Sequence, residues 1–166
     1  MIFSLLGVSL LFASPAIAKS RVKRQALSHR QLKVTLVNDR RMLAATRIAN
    51  ANAGRHSKRH CWRAVKNALL KAKVVAKRPT TVYAKQAGYE LQKKYNFKKL
   101  AIRDPKRAPV GAILVYGGRG AGHVEIRTKK GYVSDFTNSR PSRRPLIGVY
   151  VTPKMLAANR TKLASR

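Results

Sequence analysis

Residues 108–136 read APVGAILVY-GGRGAG-HVEIRT-KKG-YVSDF. An apolar β run, a glycine loop, an alternating strand, a tight turn and another strand make an antiparallel ribbon. Strand alternation sends Val124 and Ile126 toward the core and turns His123 and Glu125 to the other face. Only five acidic residues balance 37 basic ones in the chain, and two of the five, Glu125 and Asp135, flank this histidine. Their relation depends on turn length. A three-residue turn over Lys129-Lys130-Gly131, with Gly131 left-handed, pairs Thr128 with Tyr132 and sets Glu125 opposite Asp135, with His123 diagonal to it. Pairing Arg127 with Gly131 instead sets His123 directly opposite Asp135. A two- or four-residue loop turns Asp135 to the wrong face.

Outward from the ribbon, LIGVYV (Leu146 to Val151) reads as a further strand. Upstream the pattern is helical. Asn38 caps a helix over DRRMLAATRIANAN that stops at Gly54. Ser57 caps the clearest helix, which runs to about Val75, with Cys61, Val65, Leu69 and Ala72 on one face and Leu70 beside them. Pro79 breaks the chain, and Thr80 or Thr81 opens a third helix through Tyr95 with Tyr83, Ala84, Ala87 and Leu91 as its stripe. LKVTLV (Leu32 to Val37) fits a strand or a helix start. Helices first and an antiparallel sheet after give an α+β domain, with the N-terminal helices packed on a small sheet.

Cys61 is the lone cysteine, so it closes no intramolecular disulfide. Its position in the first turn of a helix favours thiolate, and the free N–H groups there can donate to an oxyanion. Among the histidines, His29 lies in a basic lead-in; His56 and His60 lie close to Cys61 in sequence, and His60, adjacent to it on the helix, does not face it and is a poor base. His123, opening a strand after a flexible loop, can be presented to a helix laid across the sheet. A base needs a group to fix its tautomer. Asp135 is the candidate on the stated registers, with Glu125 and Asn138 in reserve. A lone cysteine and scattered histidines give no zinc spacing. The glycine loop precedes a strand and carries no Gly-Lys-Ser/Thr, which rules out a phosphate loop.

The N-terminus MIFSLLGVSLLFASPAIA (Met1 to Ala18) has an apolar run, Pro15 and an Ala-x-Ala site before Lys19, the pattern of a cleaved signal peptide. We expect segments 1–18 (signal), 19–55 (a basic, partly helical extension), 56–152 (the catalytic domain) and 153–166 (a basic helix or tail opened by Thr152-Pro153). Export, and no membrane span after cleavage, follow from this reading. The net charge of +32 calls for a polyanionic partner. Export favours a cell-wall polymer over nucleic acid.

HCWRAV, PVGAILVY, the glycine loop, GHVEI and the strand after it together resemble the NlpC-type and CHAP-type cysteine peptidases of bacterial cell walls, a papain-like superfamily. The likeness covers about Arg59 to Phe136. It implies Cys61 as nucleophile, His123 as base and Asp135 as orienter. His60 stands where NlpC-type members carry Asp, and Trp62 where they carry Ser.

The resulting expectation is an exported cysteine peptidase or amidase that hydrolyses peptidoglycan without metal or organic cofactor, as a monomer. The backbone N–H groups of Cys61 and His60 would hold the oxyanion. Trp62, Glu125 and Asn138 would line the substrate groove. The rival is a non-catalytic polyanion binder on the same fold, for wall polymer, lipopolysaccharide or nucleic acid. It predicts an ordinary thiol with no His123 beside it.

Overall fold

The apolar run quoted first becomes the middle of a sheet. The structure, a computed structural model, describes residues 34–158. The expected signal segment 1–18, the lead-in with His29 and the tail 159–166 lie outside the described residues. Eight strands occur among those described: β1 (Val34–Leu36), β2 (Lys98–Leu100), β3 (Ile113–Tyr116), β4 (His123–Arg127), β5 (Tyr132–Val133), β6 (Thr137–Asn138), β7 (Leu146–Val151) and β8 (Leu156–Ala158). Six of them form an antiparallel sheet in the order β2-β7-β3-β4-β5-β6, while β1 and β8 pair separately. Ile113, Leu114, Val115 and Tyr116 are all fully buried, as befits a central strand covered on both faces.

Three α-helices among the described residues cover the sheet: α1 (Arg40–Asn52), α2 (Cys61–Lys71) and α3 (Ala87–Tyr95). The α+β expectation holds, and helix-before-sheet order is what positions the site. Asp39, not Asn38, caps α1 by accepting from the Arg41 N–H at 2.9 Å. α1 gives Met42, Ala45 and Ala49 to the same core as the sheet, so it is part of this domain's core. Val65 and Leu69 of α2 are fully buried, each contributing about 1.5–3 kcal/mol by leaving water.

Other boundaries moved. α2 starts at Cys61, four residues beyond Ser57, because the segment before it is tied to the sheet side: Gly54 bridges Phe136 and its N–H donates to the Asp135 carbonyl at 2.9 Å, while Asp135 takes the Lys58 and His60 amides. Thr80 and Thr81 do not open a helix. They are gripped by Glu90, whose carboxylate takes both backbone N–H groups and both hydroxyls. A 3₁₀ turn (Ala84–Gln86) leads into α3 instead. Thr152-Pro153 opens a 3₁₀ turn that passes into β8, not a C-terminal helix, because β1 offers an edge to pair.

Candidate active site

The first question is the register of the β4–β5 hairpin. Arg127 pairs with Tyr132 and Ile126 with Val133, and the Thr128 N–H donates to the Gly131 carbonyl at 2.8 Å. This even-numbered turn is the parity that carries Asp135 away from the face of His123. Asp135 therefore does not orient the histidine, a correction to the sequence expectation. Its Oδ2 accepts from the Lys58 N–H (2.7 Å), the His60 N–H (3.0 Å) and the Ser57 hydroxyl (3.3 Å), and its Oδ1 accepts from the Ser134 hydroxyl at 3.1 Å. Although burial by itself would raise the Asp135 carboxyl, the His60 and Lys58 amides outweigh it and hold the group below the usual carboxylate range. Asp135 thus fixes the loop that delivers Cys61.

The same contacts correct a second expectation. The single amide proton of His60 is spent on Asp135, so it is not free for an oxyanion. The N–H groups of Cys61, Trp62 and Arg63 have no acceptor four residues back inside α2, since the first intrahelical bond runs from Ala64 to His60. The Cys61 amide remains available. The side chains of His56 and His60 are exposed.

His123 meets Cys61. Burial pushes the thiol up, but the hydrogen bond and positive charge of His123, with a further bond from the Val124 amide, outweigh it, and the thiol titrates below its ordinary value. Burial alone would lower His123 in turn. The bond to Cys61 and the bond and charge of Glu125 raise it instead to about 9. The pairing therefore favours the thiolate on Cys61 and the imidazolium on His123 over what either group would show alone.

Glu125 takes the place expected of Asp135. Its Oε2 lies 3.3 Å from His123 Nε2, which leaves Nδ1 as the ring nitrogen for the thiol. Its Oε1 accepts from the Tyr116 hydroxyl at 2.6 Å and from the Ser142 N–H at 3.3 Å. Glu125 is only 3% exposed, so it faces His123 from a buried, fully partnered setting. Tyr116, itself wholly buried, stands directly opposite His123 across β3–β4, and its hydroxyl is pushed well above the usual phenol range by burial and by Glu125. The imidazole has the Tyr116 and Phe136 rings as neighbours, at 6.0 Å and 6.2 Å between centroids. A sequence signal for Glu125 existed in the i, i+2 spacing from His123.

The groove expectations divide. Trp62 does not line a groove. It is buried at 3% exposure with its Nε1–H donating to the Thr81 carbonyl (3.1 Å) and hydroxyl (3.0 Å), because an indole on the second residue of α2 points into the helix–sheet interface. Glu125 and Asn138 do border a cleft of about 750 Å³ that contains Cys61 and His123. Arg59, Arg119, Arg140, Arg143 and Arg144 also line it, and the sequence reading did not single them out. Among the described residues no three His, Cys, Asp or Glu side chains gather as a metal-ligand set. Nor is any helix among them long and apolar enough to cross a membrane.

A thiolate at a helix N-terminus, an imidazolium on a strand and a buried carboxylate behind it can carry out acyl transfer. No protein-family model and no curated protein matches the chain. Among solved structures it is similar to a chain of the type VI native effector–immunity complex Tae3–Tai3 from Ralstonia pickettii, with a TM-score of 0.54 at 20% identity over 67% of this chain and 98% of that one, a likeness of fold.

Proposed function

We propose that the protein is an exported papain-like cysteine amidase that hydrolyses peptide bonds of peptidoglycan. The observation that carries this reading is that Cys61 at the head of α2 and His123 at the head of β4 line one cleft, with the buried Glu125 behind the histidine. The Cys61 thiolate attacks the carbonyl carbon, and the Cys61 N–H donates to the oxygen that becomes negative. His123 gives its proton to the leaving amine as the C–N bond breaks, leaving a thioester on Cys61. Neutral His123 then takes a proton from water, the hydroxide attacks the thioester, and thiolate and imidazolium are restored with release of the acid.

The Glu125 carboxylate orients His123 and stabilises its charge. Export rests on the sequence of residues 1–18, and peptidoglycan as substrate on the fold likeness together with the resemblance of HCWRAV and GHVEI to wall peptidases. The binder reading is disfavoured by a thiol held below its ordinary value in contact with His123. The test is incubation of purified peptidoglycan with wild-type protein and with Cys61→Ala. New amino groups are expected with the first and not the second. Equal release from both would overturn the reading, as would none from the wild type.

A further inference from the structure

All five acidic side chains of the chain lie among the described residues, and each has work inside the fold. Asp39 caps α1 and accepts from the Thr152 hydroxyl at 2.6 Å. Glu90 holds Thr80 and Thr81, and Asp104 accepts from the Lys106 N–H. Glu125 and Asp135 serve His123 and the loop before α2. Of the five, only Glu125 borders the active-site cleft, and it is buried and fully partnered.

The arginines of that cleft therefore have no internal counter-ion. Arg144 is a clasp: its Nη1 donates to the Arg119 carbonyl at 3.0 Å and ties the glycine loop to the loop after β6. Arg59, Arg119, Arg140 and Arg143 are exposed, and among the described residues their guanidinium groups make no side-chain hydrogen bond or ion pair. They come from separate segments of the chain. Arg59 stands two residues before the nucleophile in a left-handed conformation (φ 60), with its N–H held by the Ser57 hydroxyl at 3.1 Å. Arg119 comes from the loop before His123, and Arg140 and Arg143 from the loop whose Ser142 N–H binds Glu125.

We propose that this cleft selects free carboxylates on its substrate, with Arg59 before α2 and Arg119, Arg140 and Arg143 from the loops of the sheet as specificity-determining contacts flanking the amide that Cys61 attacks. The proposal rests on the amidase reading for the bond cleaved, since the anions that accompany an amide in a peptide are carboxylates. A guanidinium fork matches a carboxylate in two parallel hydrogen bonds, a match that a carboxamide does not reproduce. The charge spread over the rest of the surface can hold a polyanion anywhere. These four groups act where the reacting bond sits.

A probe that needs no substrate tests this on the full chain. Cys61 is alkylated with anionic iodoacetate and with neutral iodoacetamide, and the ratio of the two rates is compared with that of N-acetylcysteine. We expect the ratio to exceed the free thiol's by about tenfold at low salt and to fall toward it in 1 M salt. It should also fall severalfold in Arg140→Gln/Arg143→Gln and in Arg59→Gln. A ratio within twofold of the free thiol's overturns the proposal, and so does a raised ratio that the arginine changes leave untouched, because His123 alone would then account for it. Two synthetic peptides differing only in free carboxylate against carboxamide form the second arm. Wild type should show a KM about tenfold higher for the carboxamide, and the double variant should lose that difference; equal KM values in wild type refute the selection. Raised, arginine-dependent alkylation with neither peptide nor peptidoglycan cleaved would keep the anion preference and discard the amidase.

Discussion

Glu125→Gln and Asp135→Asn separate the two acids flanking His123. The carboxamide of Glu125→Gln keeps an oxygen for the Tyr116 hydroxyl and the Ser142 N–H but removes the negative charge 3.3 Å from His123 Nε2. A hydrogen bond to a charged group contributes about 1.5–3 kcal/mol, so kcat/KM on peptidoglycan should fall by roughly 10- to 150-fold at about 1.4 kcal/mol per decade. The direction of the pH effect follows from the same contact. His123 titrates at about 9 partly because of Glu125, and hydrolysis needs its proton for the leaving amine. The alkaline limb of the pH–rate profile therefore lies near 9 in the wild type and moves to lower pH in Glu125→Gln.

Asp135→Asn keeps an oxygen for Lys58 and His60 but loses the charge and the acceptor of the Ser134 hydroxyl, at a cost of about 1–2 kcal/mol in stability. The Asp135 charge opposes the Cys61 thiolate, so its removal makes the thiol more acidic, and hydrolysis per folded molecule should stay within about threefold. The assay is amino-group release against pH, paired with a thermal melt of each variant. A Glu125→Gln enzyme within threefold of wild type, beside an Asp135→Asn enzyme that melts normally and is inactive, would refute the assignment of the two roles.

Three further outcomes follow from the fold. The Glu90 carboxyl is pushed up by burial but held down by Thr80 and Thr81, so that it sits at about 2 against an ordinary 4.5. Its contribution of about 3 kcal/mol is whole above pH 4.5 and is lost as pH falls through 2; Glu90→Gln should flatten this acid limb in pH-dependent denaturation. Gly122 has φ +77, and a Cβ there would stand 2.5 Å from the Tyr116 carbonyl oxygen and 2.9 Å from the Lys85 nitrogen. Gly122→Ala should destabilise by about 2–4 kcal/mol and, by shifting the adjacent His123, slow iodoacetamide capture of Cys61. Trp62→Phe keeps the ring in the core but drops both donations to Thr81, so the melting temperature should fall by an amount worth about 1–3 kcal/mol while KM on peptidoglycan is unchanged.

Much of the site was legible because it depends on local rules. A cysteine opening an apolar helical stripe and a histidine opening an alternating strand after a glycine loop are positions that spacing alone declares. The alternation that put Glu125 on the face of His123 is equally local, yet Asp135 took the role of orienter in the sequence reading. What spacing does not declare is where a backbone amide finds its acceptor. The cap of α2 depends on Asp135, 75 residues from His60 along the chain, and the grip on Thr80 and Thr81 depends on a glutamate in the next helix. Both shortened a helix relative to its apolar pattern. The short strands β2 and β6 went unread for the same reason: KKL and TN carry no apolar alternation and exist because a neighbouring edge pairs with them.

The hairpin turns on a finer point. A three-residue loop needs its glycine left-handed, near φ +60 to +90, whereas Gly131 sits at φ 156, outside that range. Thr128 then closes the turn on Gly131 and shifts every residue of β5 by one place relative to β4. That single step moves Asp135 off the face of His123 and under the loop before α2. Immediately beyond, the Ser134 N–H donates to the Phe136 carbonyl at 2.9 Å, and the chain reverses into β6 with Asp135 at the bend. A carboxylate at that bend can reach the Lys58 and His60 amides, which a side chain in the middle of a straight β5 could not. The same parity thus removes Asp135 from the histidine and gives it the loop before Cys61, and it leaves Glu125 as the acid in contact with His123.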